Sequence, residues 1–410
     1  MKVLVFAILF TISGLTAVAQ RLCGTDSYIK NYFRELPVVE SIVPTLPPRD
    51  TSLDEIITIP VVIHVLFNAA GQNISDAQLL SQIAVLNKDF RLLNADKNLV
   101  PTVFKKFAAD AKIMFCLARV DPDGRPTSGI DRKYSNKEFF MGDDGMKFKA
   151  MGGANAWDSK RYLNIWVCNL FGRTLGYATP PGGPEDKDGV VIKFDVFGNE
   201  GYLQAGFNKG RTATHEVAHW LGLKHIWGDE DCGDDEVDDT PRQKSYNFGC
   251  PVFPVTSTCS PNINGDMFMN FMDLTDDGCM NLFTSGQKNR MRSLFALGAK
   301  RNSLLRSYQC DSSLASGGAL PQDSLPVAAK AVVIKLFPNP VVATLHIETD
   351  ELSEITGKTA ALYNSNGMLL KKFILQSNKS IINLQQFAAG MYILKIGEAG
   401  GQKTFKIIKI

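Results

Sequence analysis

The 410-residue sequence has only five histidines and no strong excess of charge of either sign. Its formal net charge is +2, from 44 Lys and Arg against 42 Asp and Glu. This balance implies no strongly basic face, so we expect no nucleic-acid partner. Beyond the N-terminus, no run is long and apolar enough to span a bilayer, which takes about 20 apolar residues. We therefore expect no transmembrane span in the mature chain.

The N-terminus holds a long apolar run. Lys2 precedes the run Val3–Leu15, and Ala17-Val18-Ala19 has the small residues that signal peptidase requires. A transmembrane anchor is the alternative, but the run is short for one. The pattern predicts a signal peptide over residues 1–19 with cleavage before Gln20. Export makes the eight cysteines candidates for disulfides.

Composition divides the rest of the chain into four parts. Residues 20–50 contain four prolines and no long periodic segment, which is typical of a pro-segment. Strand-like runs alternate with helical patterns over 51–311 and predict an α/β domain. Small residues over 312–330 predict a linker. Short β-type runs with turn signals, such as Ser365-Asn366-Gly367, predict a small all-β sandwich over 331–410.

Several elements follow from periodicity. Ser75 and Gln78 have capping-box spacing before an apolar pattern of helical period, which predicts the start of a helix. Strands are predicted at Ile56–Phe67, Ile113–Val120, Tyr162–Leu170 and Val190–Phe197.

Three of the five histidines fall within the eleven-residue stretch HEVAHWLGLKH. Residues four positions apart share one face of a helix, so His215 and His219 can place two imidazoles on one metal ion. Gly222 gives the chain freedom to turn and return His225 as a third ligand. Three protein ligands leave one position open, which is the pattern of catalytic zinc. Glu216 can reach a water there and act as general base for peptide hydrolysis.

These residues also have alternative interpretations. A bare HExxH occurs by chance on surface helices, but the extended HExxHxxGxxH fixes five positions. A catalytically weak, metal-binding surface adhesin would need no base such as Glu216. A calcium-built binding module is disfavoured because calcium prefers oxygen ligands. His64, in an apolar strand, and His346, in the C-terminal domain, are interpreted as structural.

At this motif the sequence resembles the metzincin metallopeptidases, and further motifs resemble their pappalysin group. Met269–Asp273 (MNFMD) is similar to the Met-turn, which implies that Met272 lies beneath the zinc. Thr284 begins a helix-like run, TSGQKNRMRSLF, as in the family. YLNIWV from Tyr162 and GYA from Gly176 resemble the central strand and the substrate-binding edge strand. The resemblance spans roughly residues 50–310 and implies a metzincin catalytic domain, with a mixed twisted sheet and active-site helices, in a secreted zinc endopeptidase.

The cysteine pattern is informative only in part. Four cysteines lie within 48 residues, and the sequence alone allows three pairings. The resemblance implies Cys232–Cys259 and Cys250–Cys279, each contributing about 2–4 kcal/mol. No partner is assigned to Cys116, Cys168 or Cys310, and the first two, in apolar strands, are candidates for buried free thiols.

Two further sites are implied by the resemblance. Residues 229–240 contain eight acids, which fit a solvated loop or a calcium site. The resemblance favours calcium, with Asp235, Asp238 and Thr240 as ligands. Arg21–Thr25 (RLCGT) resembles a pro-segment cysteine switch, in which the Cys23 thiolate occupies the open zinc position. The alternative for Cys23 is a disulfide. Removal of the pro-segment is expected near Pro48-Arg49-Asp50.

The segment after the Met-turn bears on rate and specificity. Many relatives have a tyrosine where this chain has Leu274, which cannot donate to the oxyanion, so another donor or the zinc alone must serve. In metzincins this segment helps form the pocket for the side chain after the scissile bond. A carboxylate there, with Asp277 the better candidate, would favour Arg or Lys. The alternative is that Asp276 and Asp277 bind calcium or face solvent.

The C-terminal domain resembles the sorting domain of the type IX secretion route. The matching pieces are Leu336–Pro340 (LFPNP), Asn366-Gly367, Gly390–Ile393 (GMYI) and the terminal Lys406–Lys409 (KIIK). The resemblance implies the type IX machinery as a partner. It also implies an extracellular or outer-surface location.

Overall fold

The computed structural model describes residues 21–32, 55–260, 262–307, 309–310, 334–349, 359–364, 368–375, 379–396 and 403–410. The predicted signal peptide, the processing site near Arg49, the linker 312–330 and the turn signal at 365–367 lie outside the described residues. The chain divides into two compact units, Met1–Pro321 and Gln322–Ile410. Among the described residues, no helix has the length and apolar character needed to cross a membrane.

The first unit is an α/β layer with a mixed sheet. Its helices are α1 (Thr25–Tyr32), α2 (Asp76–Asp89), α3 (Thr102–Lys105), α4 (Arg211–Trp220) and α5 (Ser285–Ser293). Its strands are β1 (Ile57–Phe67), β2 (Ile113–Leu117), β3 (Ile130–Tyr134), β4 (Leu163–Cys168), β5 (Gly176–Ala178) and β6 (Val190–Lys193). The strand order is β2-β1-β4-β6-β5, and β3 pairs with the second half of β1. All pairs are parallel except β5 with β6.

Strand β1 is buried along nearly its whole length. Only Thr58 is exposed and only Phe67 is half-buried. A parallel sheet covered on both faces needs such an unbroken apolar strand, which is what the sequence predicts. His64 is fully buried there, with its Nε2 atom 3.1 Å from Oδ1 of Asn164 and its ring stacked on Trp166.

Two helix starts differ from the sequence expectations. Ser75 accepts a hydrogen bond from the Gln78 backbone N–H at 3.2 Å, but the Gln78 amide donates to the Phe197 carbonyl at 2.9 Å. The capping box is therefore incomplete, because the Gln78 side chain bonds a loop carbonyl and not the Ser75 backbone N–H. Within the predicted pro-segment, the described residues form a helix, α1, that no periodic sequence pattern indicates. This eight-residue helix is too short to show a period and is stabilised by packing of the buried Tyr28.

The second unit consists of two antiparallel sheets. Its strands are β7 (Ile334–Phe337), β8 (Thr344–Thr349), β9 (Thr359–Asn364), β10 (Leu369–Ile374), β11 (Lys379–Asn383), β12 (Gly390–Ile396) and β13 (Lys403–Lys409). The sheet orders are β10-β9-β12-β13 and β11-β8-β7. Apolar side chains from both sheets, among them Leu345, Leu362 and Leu394, form one buried cluster. This is the small all-β domain that the turn-rich sequence predicts. His346 stacks on Phe337.

Three disulfides join six of the eight cysteines. They are Cys232–Cys259, Cys250–Cys279 and Cys116–Cys310. The first two have the pairing that the resemblance implies. The interpretation of Cys116 as a free thiol is wrong, because its partner lies 194 residues away and leaves no local pattern. Cys168 is a buried free thiol, and Cys23 is also free.

Candidate active site

Helix α4 carries two of the three motif histidines, and a turn brings back the third. All ten residues of α4 are buried. The Leu223 N–H donates to the Ala218 carbonyl at 3.0 Å, and the Gly222 N–H donates to the His219 carbonyl at 2.8 Å. This is a Schellman ending, and φ is +84° at Gly222, which a glycine adopts without strain. The chain therefore leaves the helix sharply and returns His225 to its face.

The three imidazole rings and one thiol meet at a single point. The Nε2 atom of His219 lies 3.1 Å from the Nε2 atoms of both His215 and His225. The Cys23 Sγ atom lies 3.6 Å from the same Nε2 of His219. The four atoms lie within 4.8 Å of one another. At usual zinc–nitrogen and zinc–sulfur bond lengths, tetrahedral ligand atoms lie about 3.3 and 3.6 Å apart.

The outer nitrogen of each ring faces an acceptor. The pairs are His215 Nδ1 with the Phe271 carbonyl (2.7 Å), His219 Nδ1 with the Leu223 carbonyl (2.8 Å) and His225 Nδ1 with the Asp229 carboxylate. These acceptors hold a proton on Nδ1, so each Nε2 directs a lone pair inward. Burial lowers the pKa of His215 well below its usual range and that of His219 to about 3. Lone pairs that converge from three imidazole rings fit a zinc ion.

Glu216 lies between this cluster and edge strand β5. Its side chain is 1% exposed, and burial raises its pKa to about 7. The Thr25 hydroxyl donates to its Oε2 atom at 2.8 Å. A Cβ atom at Gly176 would lie 2.9 Å from the Glu216 Cγ atom. Glycine at this position of β5 therefore allows the strand to approach the carboxylate closely.

The segment Arg21–Tyr32 covers the site. Leu175 donates its N–H to the Leu22 carbonyl at 3.0 Å, and Gly24 donates to the Gly176 carbonyl at 2.9 Å. Cys23 thus pairs with the edge strand in parallel orientation. This is strand addition to an exposed sheet edge, a common mode of peptide recognition.

Arg21 occupies a closed pocket whose charged wall is Asp277. The guanidinium forms an ion pair with Oδ1 of Asp277, and neither side chain is more than 2% exposed. It also lies over the Phe207 ring, 5.2 Å from the centroid. Oδ2 of Asp277 accepts from the backbone N–H groups of Lys209 at 2.8 Å and Arg211 at 3.1 Å. The alternative interpretation of Asp277 as a solvent-facing residue is wrong, because these contacts enclose it.

The Met-turn segment is fixed to its surroundings by hydrogen bonds. Met272 is fully buried, and its carbonyl accepts from the N–H of Ile226, the residue after the third histidine, at 3.1 Å. The side-chain amides of Asn270 and Gln287 exchange hydrogen bonds at 2.9 and 3.0 Å, which joins the segment to α5. Leu274 is buried, and its side chain carries no donor.

The residues predicted to bind calcium lie together at one cavity, which none of the three motif histidines lines. Asp235, Asp238 and Thr240 line one cavity, with Val237 beside them. The Thr240 hydroxyl lies 2.7 Å from the Val237 carbonyl oxygen and 2.8 Å from a carboxylate oxygen of Asp235. Burial raises the pKa of Asp235 to about 7. Carbonyl, hydroxyl and carboxylate oxygens thus converge at this cavity.

Sequence reasoning missed three contacts of the site. The RLCGT motif contains Thr25, whose hydroxyl donates to Glu216, and Arg21, whose guanidinium fills the pocket of Asp277. The sequence predicts neither contact. Asp229 faces the outer nitrogen of His225. Its position four residues after that histidine is a signal that could have been used, since residues this close in the chain can face each other across a turn.

Both units are similar to known protein families. Residues 150–296 match the family described as pregnancy-associated plasma protein-A, and residues 335–410 match a secretion system C-terminal sorting domain. An extracellular metalloprotease from Verticillium alfalfae is 32% identical over 252 residues, which cover 58% of this chain and 76% of that protein. One from Arthroderma benhamiae is 31% identical over 300 residues, covering 70% and 95%.

Solved structures match the first unit. Mature mirolysin from Tannerella forsythia, in complex with a cleaved peptide, is 50% identical with a TM-score of 0.61, covering 64% of this chain and 99% of that one. A mutant of Tannerella forsythia promirolysin is 46% identical with a TM-score of 0.63, covering 70% and 97%.

The sorting domain and the extracellular relatives place the protein outside the cell or on its outer surface. The sorting domain also implies the secretion machinery as a partner. The family match, the relatives and the solved structures agree, and the chain belongs to the pappalysin family of zinc metalloendopeptidases.

Proposed function

We propose that this endopeptidase uses Glu216 as general base and prefers Arg or Lys directly after the cleaved bond. The zinc would be held by the three histidines of the HExxHxxGxxH motif. Support for these ligands is the convergence of the Nε2 atoms of three imidazole rings. The preference is carried by one observation, which is that the chain's own Arg21 lies on Asp277 inside the cleft.

Zinc, when bound, supplies a Lewis acid that polarises water and the scissile carbonyl. Glu216 would accept the proton of the attacking water at its carboxylate and deliver it to the leaving amine nitrogen. A pKa of about 7, raised by burial, suits a group that must take up and release a proton near neutral pH. Edge strand β5 would align the substrate backbone by strand addition, as it binds Leu22 and Gly24, but with the substrate running in the opposite direction to that segment.

The contacts of Arg21 explain why a guanidinium fits the pocket. Besides the ion pair, its Nε atom donates to the Thr275 carbonyl at 3.1 Å, and one terminal nitrogen donates to the Thr212 hydroxyl at 3.3 Å. The planar group also stacks over Phe207. A lysine could reproduce the ion pair but not the fork of donors. We therefore expect Arg to be preferred over Lys.

The same segment would keep the precursor inactive. The Cys23 Sγ atom stands where a fourth ligand would bind, 3.6 Å from the His219 Nε2 atom. A thiolate is a good zinc ligand, so it would exclude water from that position. The Thr25 hydroxyl also donates a hydrogen bond to the Glu216 carboxylate, the proposed general base. Removal of the pro-segment would free the zinc and the base together.

Calcium is proposed as a structural ion at Asp235, Asp238 and Thr240. Calcium takes six to eight oxygen ligands, including carboxylates, carbonyls and waters. The supporting observation is the convergence of oxygens around Thr240, whose single hydroxyl proton can be donated to only one of the neighbouring acceptors.

The relatives are extracellular metalloproteases, which favours the enzyme over the weakly catalytic adhesin.

Cut-site mapping in a proteome-derived peptide library tests the specificity. The matured enzyme should show Arg, and then Lys, enriched directly after the cut. Asp277→Asn keeps an oxygen for the backbone N–H groups but removes the charge, and should lower this preference about tenfold or more. Asp276→Asn, the partly exposed neighbour, is the matched control. No enrichment, or an unchanged preference in Asp277→Asn, would remove the specificity assignment and leave the zinc mechanism standing.

A further inference from the structure

We propose that the socket now filled by Tyr28 is a second substrate subsite, which takes a tyrosine side chain from the part of the substrate before the cleaved bond. The socket is formed by Asp144, Lys147, Tyr177 and Thr179. The proposal rests on the proposed function, because it assigns a further pocket to the same cleft. These four residues are separate from the histidine cluster and from the pocket of Arg21.

Tyr28 is held in the socket by both its ring and its hydroxyl. Its side chain is 4% exposed. The hydroxyl lies 2.7 and 2.9 Å from the two carboxylate oxygens of Asp144, to which it donates, and it accepts from Lys147 Nζ at 3.2 Å. The ring packs on Tyr177 with centroids 4.6 Å apart. The socket therefore recognises an aromatic ring that carries a hydrogen-bonding group at its end.

The socket is built by residues of the catalytic unit alone. Lys147 Nζ lies 2.9 Å from the Asp144 carboxylate, and it donates to the Thr179 hydroxyl and to the Lys187 carbonyl at 2.9 Å each. Lys187 Nζ adds a second cation 3.2 Å from Asp144. All four residues follow the pro-segment in the chain, so they stay when Tyr28 is removed with it. In the mature enzyme the socket would then be an empty, charged pocket beside β5, with its side chains already held in place by hydrogen bonds.

A purely structural role does not account well for this pair. Asp144 is 1% exposed and Lys147 is fully buried, and such buried pairs can often be replaced by apolar residues without loss of stability. Asp144 also has φ at +63°, in the left-handed region that non-glycine residues seldom adopt. Backbone held in such a region is frequent at ligand sites. The alternative role, anchoring the loop of Asp144 to the sheet, would require neither feature.

The pro-segment also indicates which part of a substrate would reach the socket. Arg21 precedes Cys23, the residue at the metal position, and Tyr28 follows it by five residues. Cys23 pairs with Gly176 in parallel orientation, and the socket residue Tyr177 follows Gly176 in β5, so the socket lies on the side of Cys23 opposite to Arg21. Only the steps from Thr25 to Tyr28 are helical and advance about 4.5 Å, while Cys23 to Thr25 adds about 6.6 Å if extended. An extended strand covers the sum, about 11 Å, in about three residues. Since the arginine pocket is proposed for the residue after the cut, a substrate would cross the cleft in the direction opposite to the pro-segment, antiparallel to β5. Its residue two or three positions before the cut should then reach the socket.

Matched peptides test the subsite. The full chain is allowed to mature and is given peptides with Arg after the bond and either Tyr or Phe at the second or third position before it. At one of these positions, kcat/KM for Tyr should exceed that for Phe about tenfold, because Phe forfeits a hydrogen bond to a charged group. Asp144→Asn should narrow this ratio, whereas Asp143→Asn, one residue away and exposed, should keep it. Equal rates for Tyr and Phe at both positions would overturn the subsite while the proposed function stands.

A binding measurement separates the subsite from catalysis. If no peptide with Arg after the bond is cut, the proposed function fails, and the subsite is then decided by affinity. Glu216→Ala, with its pro-segment removed by trypsin and the trypsin then removed, is titrated calorimetrically with the Tyr and Phe peptides. Binding about tenfold tighter for Tyr supports the subsite. Equal affinities overturn it, whether or not Asp144→Asn folds.

Discussion

The floor of the active site and its cover meet at the same atoms but are held in different ways. We call α4 with His225 the floor, and the segment Arg21–Tyr32 the cover. The floor is fixed from outside the cleft by backbone groups, such as the Phe271 carbonyl behind His215. The cover is fixed mainly from inside, by contacts to functional groups such as Glu216. The floor can therefore persist without the cover, and a substrate can take over the contacts that the cover makes.

Glu216→Ala should have the largest effect on activity, because it removes the general base from the floor and leaves the metal ligands in place. Peptidase activity should fall by about 10²–10⁴-fold or more, while zinc content and thermal stability stay close to those of the wild type. Activity is measured as kcat/KM on an Arg-containing peptide and zinc by elemental analysis. Glu230→Ala, an exposed acid in the following loop, is the control. Full activity in zinc-loaded Glu216→Ala would refute the assignment of the base.

Cys23→Ala acts on the cover alone and should cost the precursor its latency. Without the thiol, water can reach the metal position, so the full chain should cleave itself early or cut an added peptide before processing. The time course of self-cleavage on gels measures this. Cys168→Ala removes the other free thiol, which lies in an apolar cluster outside the metal site, and should remain latent. Equal latency of Cys23→Ala and the wild type would count against the switch.

The floor could be predicted from local sequence rules, whereas for the cover only the position of Cys23 was implied, by the resemblance of RLCGT to a cysteine switch. A spacing of four places two histidines on one helix face, and one glycine lets the third return, so His215, His219 and His225 follow from local rules. The ion pair of Arg21 with Asp277 joins residues 256 positions apart. The tertiary fold alone brings such residues together.

The same distinction holds for the fold. The unbroken apolar run of β1 predicts a buried parallel strand, and the small-residue and turn-rich C-terminal part predicts a separate all-β unit. Strand β3 has the sequence IDRKY, and none of its residues is fully buried, so no apolar pattern marks it. It forms because β1 offers an unpaired edge beyond the end of β2. The disulfide of Cys116 with Cys310 likewise depends on tertiary contact.

Thr25→Val should loosen the cover less than the loss of the thiol does. The substitution removes the hydrogen bond to Glu216 and the acceptor for the Ala178 N–H, which is 2.9 Å from the Thr25 hydroxyl. The two bonds together contribute about 1–3 kcal/mol net, so residual activity of the precursor should rise roughly five- to 150-fold. Ser27→Ala removes an exposed hydroxyl from the same helix and should have no effect. A rise as large as that of Cys23→Ala would mean that the base, and not the metal position, controls latency.

Calcium should have the smallest effect on activity. It should stabilise the fold to the same extent with or without the cover. The cavity of Asp235 and Thr240 lies in the segment between the third histidine and the Met-turn, and no described residue of the pro-segment lines it. At a hundredfold excess over its Kd, one bound ion stabilises the fold by about 2.7 kcal/mol. The melting temperature of zinc-loaded protein should therefore rise by a few degrees with calcium and not with equal magnesium, by the same amount in the precursor and in the matured enzyme. Asp235→Asn should abolish the rise, and Asp231→Asn, at an exposed position of the same loop, should keep it. A rise confined to the precursor would show that the ion belongs to the cover, and the absence of any rise would remove calcium from the site.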